Sequence, residues 1–125
     1  MQPTTSLRLG AVLGGIAVGL GAFAAHGMKA HYEPAQLVTF ETGVRYQMYH
    51  ALALLGCGVL GLGGRRTGAA AICFLLGVLL FSGSLYALVW TDTKWLGAVT
   101  PFGGVLFLVG WLLLAVRGSA PTERT

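Results

Sequence analysis

The sequence predicts an all-α fold, an integral-membrane four-helix bundle with a short amphipathic helix lying at the interface before the second transmembrane helix. Composition is the first reason: of 125 residues, 55% are apolar and 10% charged, and the mean hydropathy is +0.75. A soluble domain of this length does not have that balance. The second reason is order, because four apolar segments alternate with short polar links. The third is glycine, with 20 residues, as expected where helices approach closely in lipid. One membrane domain covers 1–125, with transmembrane helices at about 7–25, 44–63, 67–90 and 97–116 and the interfacial helix at about 34–42.

Segment one is apolar from Leu9 to Ala25, after Arg8 and before His26. Ala22-Phe23-Ala24 mimics a signal-peptide cleavage site. Against that reading, Gly10-x-x-x-Gly14 and Gly15-x-x-x-Gly19 form a candidate packing face that a retained helix would use. The link HGMKAHYE ends at Pro34, which suits the first turn of a new helix. The mixed run to Phe40 then reads as an interfacial helix, either continuous with segment two or kinked near Thr42-Gly43.

Segment two is the informative one. Only residues 51–64 are free of ionisable groups before Arg65 and Arg66. Those residues span roughly 21 Å as helix, against about 30 Å of hydrocarbon. The helix must therefore begin near Val44, which draws Arg45, Gln47 and His50 into or up to the apolar zone. Ionisable groups there are costly and default to a functional hypothesis. Segment three, Thr67 to Trp90, has no ionisable charge until Asp92, and its outer half contains FSGSLY. The short link Thr91–Lys94 makes segments three and four an antiparallel hairpin, flanked by Trp90 and Trp95 as aromatic anchors. Thr100-Pro101 reads as N-cap and first helical residue of segment four, which runs to about Val116.

Arg8, Arg65, Arg66, Arg117 and Arg124 fall on one side, and Lys29, Lys94 and Arg45 are assigned to the other. That asymmetry predicts both termini in the cytoplasm. The net charge of +4 comes from residues scattered near segment ends, a pattern of topology signals that argues against nucleic-acid binding. Cys57 and Cys73 lie symmetrically about Arg65, which would put them at equal depth in a tight hairpin. Small packing residues are the simpler reading, and a bond or metal site the rarer one.

Counting residues inward from Arg65, Arg117 and Arg8 places His50 level with Leu80, Phe102 and Phe23. On that count the polar groups of the four segments meet in the outward half. The candidate pocket is His26, Glu41, Arg45, Tyr46, Tyr49, His50, Ser82, Ser84 and Tyr86. Glu41, Arg45 and Tyr49 repeat at i, i+4, i+8, so the carboxylate and guanidinium can pair on one face. Tyr46, His50, Ala53 and Cys57 form a stripe almost opposite. For Glu41 and Arg45 a structural pair is weighed against substrate or proton handling. For His50 a hydrogen bond to Ser82 or Tyr86 is weighed against a proton relay and a metal ligand. His26 and His31 with Glu33 or Glu41 have no recognised metal spacing, so no metal or other cofactor is expected. Tyr32, Tyr46, Tyr49 and Tyr86 read as interfacial anchors. No Walker loop, dinucleotide fingerprint or nucleophile elbow occurs, so no catalytic residue is assigned.

GAFAAHG at 21–27, FETGVRYQMYHALALL at 40–55, LFSGSLYAL at 80–88 and LGAVTPFGG at 96–104 together resemble the domain-of-unknown-function-423 family. These are small inner-membrane proteins of the YgdD and YwdK type, to which eukaryotic transmembrane protein 256 is similar. The resemblance covers roughly residues 10–112. It implies a four-helix protein of the bacterial inner membrane that keeps its first segment, and it implies no activity. Ala24 stands where the family pattern usually has glycine.

Two expectations follow. The first is a non-enzymatic bundle that associates with itself or a larger membrane complex. The alternative is a small-molecule, proton or lipid-handling protein using an outward pocket around Arg45 and His50.

Overall fold

In a computed structural model of the chain, residues 1–121 are described. They form α1 (Pro3–His26), α2 (Pro34–Leu62), α3 (Gly68–Thr91), a short 3-10 turn at Lys94–Ala98, and α4 (Thr100–Arg117). Pro34 occupies the first turn of α2, and Glu33 closes a capping box in which its backbone N–H donates to Gln36 Oε1 at 2.9 Å. The expected interfacial helix is therefore the first turns of α2, with no break at Thr42-Gly43. At 29 residues α2 is about 43 Å long, so it extends past a bilayer core of about 30 Å. The spans Pro3–His26, Gly68–Thr91 and Lys94–Arg117 are long and apolar enough to cross a membrane. α2 is longer but less apolar, because Glu41, Arg45, Gln47 and His50 lie in it.

Each helix packs chiefly on its neighbour in sequence: α1 on α2, α2 on α3, and α3 on α4. Glycines set the close approaches. A Cβ on Gly10 would lie 2.7 Å from the Ala51 carbonyl oxygen, and one on Gly103 would overlap the backbone of Phe81. Only part of the expected α1 glycine face packs. Gly10 is buried on α2 and Gly14 touches it loosely, whereas Gly15 and Gly19 face open space. A four-residue repeat advances 400°, so GxxxG pairs starting five residues apart cannot share one seam. Ala24, the departure from the family pattern, is buried with Met28, Phe40 and Val89, so its methyl group fills that core.

The α2–α3 turn uses Gly64 at φ +84°, a conformation that favours glycine. At this end Arg65 Nη1 donates to the Ser119 carbonyl at 2.7 Å, which ties the residues after α4 to the turn. Arg124, counted among the orientation signals, lies outside the described residues. Both cysteines are free. Cys57 is buried, and Cys73 faces α4 near Gly110.

Candidate functional site

Gln47 and His50, the buried polar residues of α2, have their partners inside the protein, and α2 supplies the centre of the arrangement. Gln47 is buried and joins three helices: Nε2 donates to the Leu13 carbonyl of α1 at 2.8 Å, and Oε1 accepts from Tyr86 Oη of α3 at 2.7 Å. Ser82 Oγ donates to the Gly43 carbonyl at 2.6 Å, and Ser84 Oγ lies 2.6 Å from Thr100 Oγ1. Towards the arginine end, Ser6 Oγ donates to the Leu54 carbonyl and Thr67 Oγ1 to the Cys57 carbonyl, each at 2.7 Å. These bonds act across helix seams, where lipid offers no competing water.

His50 is 4% exposed and is held on all sides. Nδ1 lies 2.7 Å from the Tyr46 carbonyl, and Nε2 accepts from the Trp111 indole N–H at 3.1 Å. A carbonyl only accepts and an indole only donates, so the ring is neutral with its proton on Nδ1. The ring is stacked on Phe107 with centroids 3.5 Å apart and planes within 5°. Phe74 of α3 lies beside it at 5.6 Å. Above this stack a groove of about 650 Å³ opens sideways between α2 and α4, lined by Tyr46, Tyr49, Phe81, Pro101, Leu108 and Trp111 around His50. Its walls are aromatic and aliphatic, and His50 forms part of its floor. Such a surface takes an apolar molecule or another helix.

The structure brings together only some of the expected pocket residues. Tyr46, Tyr49 and His50 line the groove. Ser82, Ser84 and Tyr86 lie at helix seams instead, and the expected partners of His50 are replaced: Ser82 bonds Gly43, Tyr86 bonds Gln47, and Trp111 bonds His50. His26 is exposed at the end of α1. Ala24 shares a cluster with Phe40, which puts His26 roughly 18 Å along the helix axis from His50. The count from Arg8 fails because α1 reaches back to Pro3, which packs against Gly58 and Gly61. Arg8 is thus an exposed residue within the helix rather than its boundary.

On α3 and α4 the neighbours of His50 are Phe74 and Phe107, five to six residues deeper than Leu80 and Phe102. The cause is local: α2 ends at Leu62 and the next residues form a non-helical turn. The register therefore pivots near Gly63, midway between bonded Gly43 and Ser82, and not at Arg65. Arg45 is exposed and Glu41 partly so, and no ion pair joins them among the described residues. Of the expected tyrosine anchors, Tyr46 packs on Phe81 at 4.6 Å and Tyr86 lies 4.9 Å from Phe40, so both contact neighbouring helices. Tyr32 packs beside the Phe40 cluster. Among the described residues, no group of three His, Cys, Asp or Glu could hold a metal.

Sequence reasoning placed Gln47 at membrane depth but left it out of the candidate pocket, and it missed Thr100, Phe107 and Trp111 as members of this network. Gln47 carried a usable signal, a strong amide donor and acceptor at membrane depth. Trp111 carried none, because a tryptophan near the end of a membrane segment reads first as an interfacial anchor.

Comparison with known proteins places this geometry in a family. The model described as "Protein of unknown function (DUF423)" matches residues 20–104. The chain belongs to the DUF423 family. Among DUF423 relatives, a UPF0382 membrane protein of Staphylococcus aureus (strain bovine RF122) is 46% identical over 109 residues, covering 86% of this chain and 89% of the relative. The UPF0382 membrane protein YwdK of Bacillus subtilis is 44% identical over 113 residues, covering 86% and 90%. A UPF0382 membrane protein of Haemophilus influenzae is 43% identical over 110 residues, covering 87% and 89%. No solved structure matches. The matched residues of this DUF423 chain include Gln47, His50, Ser82, Tyr86 and Thr100, and end before Phe107 and Trp111.

Proposed function

We propose that this DUF423 protein is a non-enzymatic, multi-pass component of the bacterial inner membrane. On this reading it is a four-helix bundle with both termini cytoplasmic that associates with itself or with a larger membrane complex. One observation carries the reading: among the described residues, no buried side-chain nitrogen or oxygen lacks a hydrogen-bond partner. Gln47, Ser82, Ser84 and Tyr86 are committed to joining helices, and His50 is held at both ring nitrogens. Association is supported by α1, where Gly15 and Gly19 have nothing packed against them among the described residues and leave a Gly-x-x-x-Gly face on which a second helix can pack closely. Orientation is supported by Arg65, Arg66 and Arg117, which gather at one end of the helices beside Met1.

The test is the size of the assembly in mild detergent, measured by light scattering, together with co-purification from native membranes. A complex larger than the 13.0 kDa chain that disperses when Gly15→Leu and Gly19→Leu are combined is expected. A strictly monomeric protein that brings down no partner would overturn the proposal.

The groove favours a second reading, in which the protein takes up a small apolar molecule or lipid from the bilayer. Arg45 does not line it, so the substrate-handling role weighed for Arg45 has no support there. Binding or flux in liposomes that is unchanged when His50→Ala and Trp111→Ala are combined would exclude this reading.

A further inference from the structure

A second cavity, of about 410 Å³, lies at the opposite end of α2 from its capping box. Arg65, Arg66 and Arg117 line it, together with Met1, Thr67 and Gly68. Arg117 is more than fifty residues from the other two in sequence, and the fold brings it there. Arg65 holds the Ser119 carbonyl at 2.7 Å and pairs through its backbone with Pro121. Three guanidinium groups thus line one cavity, and among the described residues no carboxylate lines it. Like charges gathered this way repel one another unless an anion lies between them. The hydroxyl of Thr67 is already donated to Cys57, so the arginines are the cavity's available side-chain donors. Arg66 and Arg117 have no side-chain hydrogen bond or ion pair among the described residues.

The position decides the class of anion. α1, α3 and α4 have this end as a terminus of their apolar spans, which puts the cavity at the level of lipid headgroups. Guanidinium groups suit phosphate oxygens, which they can engage through paired N–H bonds. Basic pockets between membrane helices are a recurrent way of holding anionic headgroups. We propose that this cavity is a phosphate-group site occupied by the headgroup of an anionic membrane phospholipid. Arg66 and Arg117 contact the phosphate, and Arg65 positions Arg117 through the segment that follows α4.

The experiment uses the full chain in a neutral detergent and follows its melting temperature as short-chain phosphatidylglycerol, short-chain phosphatidylcholine or inorganic phosphate is added. Stabilisation by phosphatidylglycerol alone is expected. Arg66→Gln with Arg117→Gln should weaken it about 25-fold, at roughly fivefold for each basic group near a headgroup. The double lysine variant, which keeps the charge, should recover part of the response. Both arginines are exposed, so the variants should fold, and a melting temperature without lipid no lower than that of the unsubstituted chain checks that. An equal response to phosphatidylcholine, or a full response in the glutamine variant, would overturn the site. Equal stabilisation by inorganic phosphate would overturn the lipid as its occupant.

Discussion

Replacing Gln47 by leucine removes the amide that joins α1, α2 and α3 while keeping an apolar side chain of similar length. Two hydrogen bonds are lost, at 2.8 Å to Leu13 and 2.7 Å to Tyr86. Bonds between membrane helices average about 0.6 kcal/mol each, which gives a direct loss of about 1.2 kcal/mol. The Tyr86 hydroxyl is then left between helices without its acceptor, which adds about 1–2 kcal/mol. The expected cost of Gln47→Leu is therefore about 2–3 kcal/mol, read as the shift of a reversible unfolding curve in mixed detergent micelles. Tyr86→Phe alone should cost about 1.5–2.5 kcal/mol, because it loses one bond and leaves Gln47 Oε1 unpaired. In the double variant the stranded hydroxyl and the stranded oxygen are both gone. The two changes should therefore cost about 1 kcal/mol or more less than their sum. Strict additivity, or a neutral Gln47→Leu, would show that this amide does not hold the three helices together.

Gly103→Val should cost about 1–3 kcal/mol, since its side chain must displace the Phe81 backbone against which α4 packs, and faster proteolysis of α4 would report it. Trp111→Phe keeps an aromatic ring but removes the donor to His50; a loss of about 0.6–1.7 kcal/mol in the same unfolding assay is expected. A membrane-permeant maleimide should label Cys73 well before the fully buried Cys57, with mass spectrometry of the labelled peptides as the readout. An oxidant should produce no Cys57–Cys73 crosslink, since the two thiols are free and Cys73 faces α4. A cysteine at Lys29 and one at Ser119 should react from opposite sides of sealed vesicles, as their placement at opposite ends of the helices requires.

Helix positions were legible because apolar length, proline and glycine act locally. Pro34 begins α2 and Gly63-Gly64 follows it, as the residues themselves suggest. Depth was less legible. It depends on where an antiparallel register pivots, and an error at the turn is doubled across the pair, so a slip of two to three residues there becomes about five at the level of His50. Taking Arg8 for a boundary failed because a long basic side chain on an exposed helix face can reach the interface from within the segment. Of the stripe Tyr46, His50, Ala53 and Cys57, the last three are buried, whereas Tyr46 is exposed at the groove. The partner of His50 was not, since Trp111 lies 61 residues away and only the packing of α4 on α3 brings it near. Glu41 and Arg45 have the right spacing to pair, yet the flexibility of two long, solvated side chains leaves such a pair little net gain.

Serial packing also bears on how the protein is made. A helix leaving the insertion machinery finds its principal neighbour already in the membrane, so α2 can settle on α1, and α3 on α2, without waiting for later chain. His50 is the exception. Its Nε2 acceptor enters the bilayer with α2 but meets the Trp111 donor only when α4 arrives, so the second helix carries an unfinished bond while the 61 residues up to Trp111 are made.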